Sequence, residues 1–395
     1  MSQAAEMDEP LHVLTLTPFF PSDKNEVNGC FIAEPIEQLK QFGIESSVIA
    51  VSPIYRPRKH ATSSSPAEWV RYPQVPGNLG LSSAGKLLFV RLLRHIRKLH
   101  DARPIDVIHA HAALPCGHAA LLLSRRLQIP FVVTVHGLDV FHTCYLGGIP
   151  ALWRRQASLD VYRAARTVIC ISGRVRDKVR EILQTATPPE TPSAIVYNGV
   201  NPILFSPNPP TIEPIDPEIL IVGNLLPSKG QELVLRALAS LRPSFPQLRC
   251  RLIGEGPDRT HLEALAHDLH IGNQVHFAGR RSRSEVAEAM RRCSVFVLPS
   301  RNEGLGCVYL EAMSCAKPAI ACRGQGIEDV IEHGRNGWLI PADGLEALAQ
   351  GISALIGSPD LRARMGTAAR QTILEKLTLS HQAQRLASIY RQAVA

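Results

Sequence analysis

"IDVIHAHAALPCGHAALLLSRRLQIPFVVTVHG", residues 105–137, reads as a strand, a helix and a second strand. IDVIHAH and FVVTVHG are short runs rich in β-branched residues, and PCGHAALLLSRRL between them has helical character. Both strand runs are apolar on successive residues rather than on alternate ones, which is what a strand covered on both faces requires. The stretch therefore predicts a parallel sheet with helices on either side.

The same alternation extends outward. LHVLTLTP precedes CFIAEPIEQLKQFG, and TVICIS precedes GRVRDKVREIL. It breaks between 185 and 218, where nine prolines fall in 34 residues around SAIVYNG. It restarts with PEILIVGN and QELVLRALASL and runs through VFVLPS, LGCVYLEAMSCA and PAIAC. Residues 343–395 lack strand patterns and read as closing helices. Two doubly wound α/β domains are expected, at 1–200 and 218–375, with a Pro-rich linker at 201–217.

Bulk properties agree. The chain has 395 residues, enough for two cores, and is 45% apolar, as soluble globular proteins are. It has no run of about 18 apolar residues, and its acidic start MSQAAEMDEP is unlike a secretory signal, so a cytoplasmic location is expected. The nine cysteines form no Cys-x-x-Cys pair and read as reduced, buried small residues. Residues 1–200 carry 22 Lys and Arg against 16 Asp and Glu, and the rest 21 against 19. The N-terminal half is thus the one suited to an anionic partner.

Ligands of such sheets bind beyond the carboxyl ends of the strands. After the first strand, FFPSDKNEVNGCF reaches its helix through Asn28 and Gly29, without the Gly-x-Gly-x-x-Gly of a dinucleotide-binding turn, which argues against an oxidoreductase. His109, His111, His118, His136 and Asp139 are of metal-ligand type, but no pair of them has the i, i+4 spacing of a zinc protease. His136, before Gly137 at a strand end, suits hydrogen bonding to sugar hydroxyls as well as an ordinary structural role. Lys229 and Gly230 open a helix in VGNLLPSKGQE, where an ammonium beside free amides suits phosphate, an ordinary solvated lysine being the alternative. Gly254 and Gly256 in LIGEGPDRTHL mark a turn that allows close approach and binds nothing by itself.

In SRNEGLGCVYLEAMSCAKP, residues 300–318, Glu303 and Glu311 lie eight positions apart. With a helix from about Leu305, they are ~12 Å apart along an axis rising ~1.5 Å per residue. Carboxylates that act across one glycosidic bond stand about 5 to 9.5 Å apart, so these are not a hydrolase couple. The spacing suits a longer ligand with a diphosphate in the middle, such as a nucleotide sugar.

This stretch resembles the Glu-x7-Glu signature of the retaining GT-B glycosyltransferases of family GT4. VTVHGLDV, VYNGVNPILFSP, VGNLLPSKG, LIGEGPDRTHLEAL, VHFAGRRSRSEVAEAM and GIEDVIEHGRNGWLI are similar to that family's other landmarks, in order, over roughly residues 10 to 375. The resemblance implies a GT-B fold: two Rossmann-like domains facing across a cleft, with acceptor bound by the N-terminal one and nucleotide sugar by the C-terminal one. The helix at 376–395 is expected to pack back on the N-terminal domain. No obligatory metal or other cofactor is implied.

Carried over by residue, the resemblance puts Glu303 beside the transferred sugar, Glu311 on the ribose, and Gly304, Leu305, Gly306, Cys307 and Val308 on the donor. Lys229 becomes the diphosphate lysine, His136 the histidine near the reaction centre, and Gly29 the glycine below the pyrophosphate. Where many relatives have Arg, this chain has Asn224, so the missing cation is expected from Arg280 or Arg323. The implied reaction transfers a hexose-type sugar, with retention, from a UDP-, GDP- or ADP-sugar to a glycan or lipid-linked acceptor in envelope or exopolysaccharide synthesis. A GT-B epimerase, a sugar phosphorylase and a non-catalytic sugar-nucleotide binding protein stay open as alternatives. No nucleic-acid partner is expected.

GKLLFVRLLRHIRKLH, residues 85–100, has five Lys and Arg and no acid. At 100° per residue Leu88, Phe89, Leu92, Leu93, Ile96 and Leu99 share one side and Lys86, Arg91, Arg94, Arg97 and Lys98 the other. That pattern fits a core helix with a solvated basic face. It also fits peripheral contact with an anionic membrane on its inner face.

Overall fold

The computed structural model describes residues 10–23, 25, 27–60, 67–76, 80–141, 149–184, 192–207 and 216–395. The chain forms two units: residues up to 197 with 379–395, and residues 198–378. The first boundary falls three residues ahead of position 200, and residues 208–215 of the expected linker lie outside the described residues. Within the second unit the Val200 amide bonds the Leu377 carbonyl at 2.9 Å, so the chain enters and leaves that unit side by side.

The first unit begins with β1 (Leu11–Thr17), α1 (Cys30–Leu39), β2 (Ile44–Pro53), β3 (Glu68–Tyr72) and α2 (Leu81–Ala102). It continues with β4 (Val107–His111), α3 (His118–Leu127), β5 (Phe131–Val135), α4 (Leu138–Phe141), α5 (Ile149–Ala164), β6 (Thr167–Cys170), α6 (Gly173–Gln184) and β7 (Ser193–Ile195). The strands lie in the order β3-β2-β1-β4-β5-β6-β7, each paired in parallel. Every residue of β4 and of β5 is buried, so the unbroken apolar runs have the environment they call for.

The second unit holds β8 (Glu218–Val222), α7 (Gln231–Leu241), β9 (Arg249–Ile253), α8 (Arg259–Asp268), β10 (Val275–Gly279), α9 (Arg283–Arg292) and β11 (Val295–Leu298). Then come α10 (Cys307–Ser314), β12 (Ala319–Cys322), β13 (Trp338–Ile340), α11 (Leu345–Gly357) and α12 (Pro359–Lys376). Its parallel sheet runs β10-β9-β8-β11-β12-β13. In each sheet the order reverses once, between β1 and β4 and between β8 and β11. Such a reversal leaves a crevice beyond the strand ends where ligands bind.

The last helix, α13 (Leu379–Val394), belongs to the first unit. Its Ala383, Leu386, Ala387 and Tyr390 join Val13, Leu39, Val107, Val132 and Ile169 in one core. Burying side chains of this size stabilises by about 1.5–3 kcal/mol each for the larger ones. That is the physical reason a helix so late in sequence belongs to the early sheet.

Helix α2 settles as a core helix on one side: Leu88, Leu92 and Ile96 are fully buried. Its other side exposes Lys86, Arg91, Arg94, Arg97 and Lys98, and with them Leu87 and Val90, the latter 72% exposed. Among the described residues no helix is long and apolar enough to cross a membrane.

Candidate active site

In the second unit the loops after β8 and β11, on either side of the reversal, are tied together. Gly230 has φ 73°, and a Cβ there would stand 2.4 Å from the Pro299 carbonyl, so only glycine lets the two loops approach so closely. The turn Pro227–Lys229 thereby carries Lys229 to Glu303, with Nζ 2.5 Å from Oε2. Ser300 Oγ, fully buried, lies 3.0 Å from the same oxygen. The Glu303 amide donates to Gln325 Oε1 at 2.9 Å, and its carbonyl accepts from the Gly326 amide at 3.2 Å. Backbone and side chain of Glu303 are both held, and the ion pair is only partly open to solvent.

Gly304 and Leu305 are buried, while Gly306, Cys307 and Val308 are partly open. Gly306 has φ 84°, and a Cβ there would press on the Tyr309 ring at 2.6 Å. This glycine breaks the backbone before the helix, so α10 starts at Cys307 and not near Leu305. The ~12 Å helical rise therefore does not apply to the whole Glu303–Glu311 interval. Lys229 likewise precedes its helix, because the positive φ of Gly230 delays α7 to Gln231.

Glu311 is 5% exposed on α10, and its Oε1 accepts from Arg283 Nη1 at 2.8 Å. Arg283 owes its place to a capping box: Ser282 Oγ accepts from the Glu285 amide, and the Ser282 amide donates to Glu285 Oε2 at 2.8 Å. This starts α9 at Arg283, whose guanidinium lies over the Phe205 ring at 5.0 Å. Arg283 is the residue that sequence reasoning missed, although the Ser-x-x-Glu signal of 282–285 marks it as the first helical position. Of the two arginines expected to supply the missing cation, Arg280 is exposed just past β10, and Arg323 lies 3.7 Å from Glu328. Asn224 is exposed, and its main-chain carbonyl accepts from Gln231 Nε2 at 2.9 Å.

In the first unit the reversal gathers aromatic rings. His136, just past β5, packs against Phe31 at 5.1 Å and Phe19 at 6.0 Å, and its Nε2 lies 2.9 Å from His111 Nδ1. The His111 ring lies 4.2 Å from that of His109, their planes tilted by 35°. His109 lies 2.7 Å from the Thr134 hydroxyl on one side and 2.7 Å from the Tyr390 hydroxyl of α13 on the other. Burial, the largest cause, pushes the His109 and His136 rings down to about 3 and His111 well below its ordinary value. All three are neutral near pH 7.

Gly29 caps α1 against the Phe19–Phe20 backbone, so packing alone accounts for a glycine there. The Asp139 side chain lies outside the described residues. Among the described residues, no group of three His, Cys, Asp or Glu is placed to hold a metal ion.

The family profile of the group 1 glycosyl transferases matches residues 205–372, and that of glycosyltransferase family 4 matches residues 31–203. An uncharacterized glycosyltransferase of Methanocaldococcus jannaschii is 30% identical over 275 residues, 68% of this chain and 71% of its own. The chain belongs to this family. It is a glycosyltransferase of the GT4 group with a two-domain GT-B fold.

A putative teichuronic acid biosynthesis glycosyltransferase of Bacillus subtilis is 25% identical, covering 87% of this chain and 88% of that one. An Anabaena protein solved with UDP-glucose superposes with a TM-score of 0.73 at 20% identity, over 96% of this chain and 98% of that one. In this glycosyltransferase the knot of Lys229, Ser300 and Glu303 falls within the group 1 match, and the histidines within the family 4 match.

Proposed function

We propose that the protein moves a hexose-type sugar, with retention, from a nucleoside-diphosphate sugar to a glycan or lipid-linked acceptor in envelope or exopolysaccharide synthesis. The observation that carries the reading is the Lys229–Glu303 pair, held at the reversal of the second sheet. A free ion pair in that position has a cation to give to an arriving diphosphate and a carboxylate to leave beside the sugar. Glu311, gripped through one oxygen by Arg283, keeps the other for ribose hydroxyls. The Anabaena structure, with its UDP-glucose, supports a nucleotide sugar as donor. The Bacillus subtilis relative's name supports a glycan as product.

In the reaction, the bond from the anomeric carbon to the diphosphate breaks and the acceptor oxygen bonds to the same face. The acceptor's proton passes to the departing diphosphate oxygen. Lys229 and the amides opening α10 stabilise the charge that develops there, the work a metal ion would otherwise do, and His136 meets the sugar. The acceptor end is proposed to work at the inner face of a membrane, where the α2 stripe meets anionic lipid.

The test is calorimetry of the wild type and of Lys229→Ala with UDP-glucose, GDP-mannose and ADP-glucose, with and without EDTA. One donor should bind, EDTA should change nothing, and the variant should lose affinity by about 2 kcal/mol, roughly 30-fold, as for a charge-assisted hydrogen bond. Binding that vanishes with chelator, or is untouched in the variant, would remove Lys229 from the leaving group.

A further inference from the structure

We propose that His111 is a positioning residue for His136, locking its tautomer through the bond between His111 Nδ1 and His136 Nε2. That bond, 2.9 Å long, needs one proton between two ring nitrogens. A neutral imidazole has a single N–H, so the choice made at this bond decides the far nitrogen of each ring. With the proton on His111 Nδ1, His136 Nε2 is bare and its own proton sits on Nδ1. With the proton on His136 Nε2, His111 Nδ1 is bare and its proton sits on Nε2. The two rings must therefore share one tautomer, both Nδ1–H or both Nε2–H.

The scaffold fixes the ring planes that make this lock effective. Parallel register sets His111 opposite Thr134, so His136, two residues on, emerges beside it. Beneath His111, the ring of His109 is pinned by Thr134 and by Tyr390. The C-terminal helix α13 is thus part of the support, which gives its return to the first unit a role beyond core filling. Phe19 and Phe31 close two sides of the His136 ring. Its Nδ1 is left as the atom for a ligand, with one fixed sense, donor or acceptor. Only the functional consequence rests on His136 meeting the sugar; the lock does not.

The experiment is long-range ¹H–¹⁵N correlation on histidine-labelled full-length protein at pH 7.5, for the wild type, His111→Phe and His136→Ala. In the wild type both rings should show the same single tautomer. In His111→Phe the His136 signals should move toward the averaged values of a mixture, and in His136→Ala those of His111 should do the same. The reciprocal variant keeps the test intact if His111→Phe folds poorly. Opposite tautomers in the wild type, or a partner ring that stays in its single tautomer in the folded variants, would overturn the proposal. A His136→Ala protein with full transfer activity would remove the sugar reading and leave the lock standing.

Discussion

In the second unit two ion pairs, Lys229–Glu303 and Arg283–Glu311, sit among mostly buried side chains at the strand ends. In the first unit the corresponding place holds three neutral imidazoles, while the cations of α2 stand outside. The contrast is physical before it is functional. Charges taken out of water survive only with partners of good geometry, so a ligand that replaces such a partner must bring charge of its own. Neutral rings face no such demand and offer hydrogen bonds suited to hydroxyls. The two arrangements fit a charged donor on one unit and a neutral, hydroxyl-bearing group on the other.

The sharpest way to break this comparison is to neutralise the two carboxylates separately. Glu303→Gln should lower transfer on the order of 10²-fold or more, the scale of losing one preorganised electrostatic contact, while UDP affinity stays within about threefold. Glu311→Ala should weaken UDP binding itself, because it removes the carboxylate proposed to meet the ribose and breaks its ion pair with Arg283. Calorimetry with UDP and a transfer assay separate the two. Equal losses of UDP affinity would show that the carboxylates do not divide the work.

A second effect, of a few kcal/mol, belongs to the histidines. Their pKa values are depressed in the fold, His109 and His136 to about 3, while the unfolded chain titrates near the ordinary value of about 6.5. The unfolded state therefore takes up protons that the folded state refuses. The stability is fully present above pH ~6.5 and is lost as pH falls from there toward about 3, at up to ~1.4 kcal/mol per pH unit for each ring. Urea unfolding followed between pH 7.5 and 5 should show this fall, and the double variant His109→Gln, His136→Gln should make it shallower, leaving the share of His111. An unchanged slope in that variant would place the acid sensitivity elsewhere.

Much of this was legible in the chain because it is local. FVVTV reads as a strand covered on both faces and is buried throughout, and Lys229, Glu303 and His136 all follow strands as the reading of 105–137 leads one to expect. What was not legible is pairing over distance. Arg283 meets Glu311 from 28 positions away, and His111 meets His136 from 25, through a strand register that no local pattern spells out. That is why Arg283 was not among the cations expected from the sequence, and why the histidines read one by one. Helix starts shifted for a local reason that composition alone hides: Gly230 and Gly306 take positive φ and delay α7 and α10.

The smallest effect tests the outer half of the comparison. Lys86, Arg91, Arg94, Arg97 and Lys98 are exposed along α2, and Leu87 and Val90 interrupt them with apolar surface. Leu152 and Trp153, on the first turn of α5, are 63% and 64% exposed. Helices α2 and α5 pack together, and α5 starts from the carboxyl edge of the sheet, where α2 also starts. Cations interleaved with apolar side chains suit an anionic bilayer, at roughly 1 kcal/mol per cation near the surface. Cosedimentation with vesicles of neutral lipid and with vesicles containing phosphatidylserine or phosphatidylglycerol should recover the protein only on the anionic ones. Moderate salt should weaken that recovery. The variant Arg91→Gln, Arg94→Gln, Arg97→Gln, Lys98→Gln should lose most of it while folding and UDP affinity stay unchanged, since none of these side chains lies in the core. Equal recovery on neutral vesicles, or undiminished recovery in the variant, would mean that the outer cations of the first unit serve solubility alone, and that its contrast with the second unit ends at the histidines.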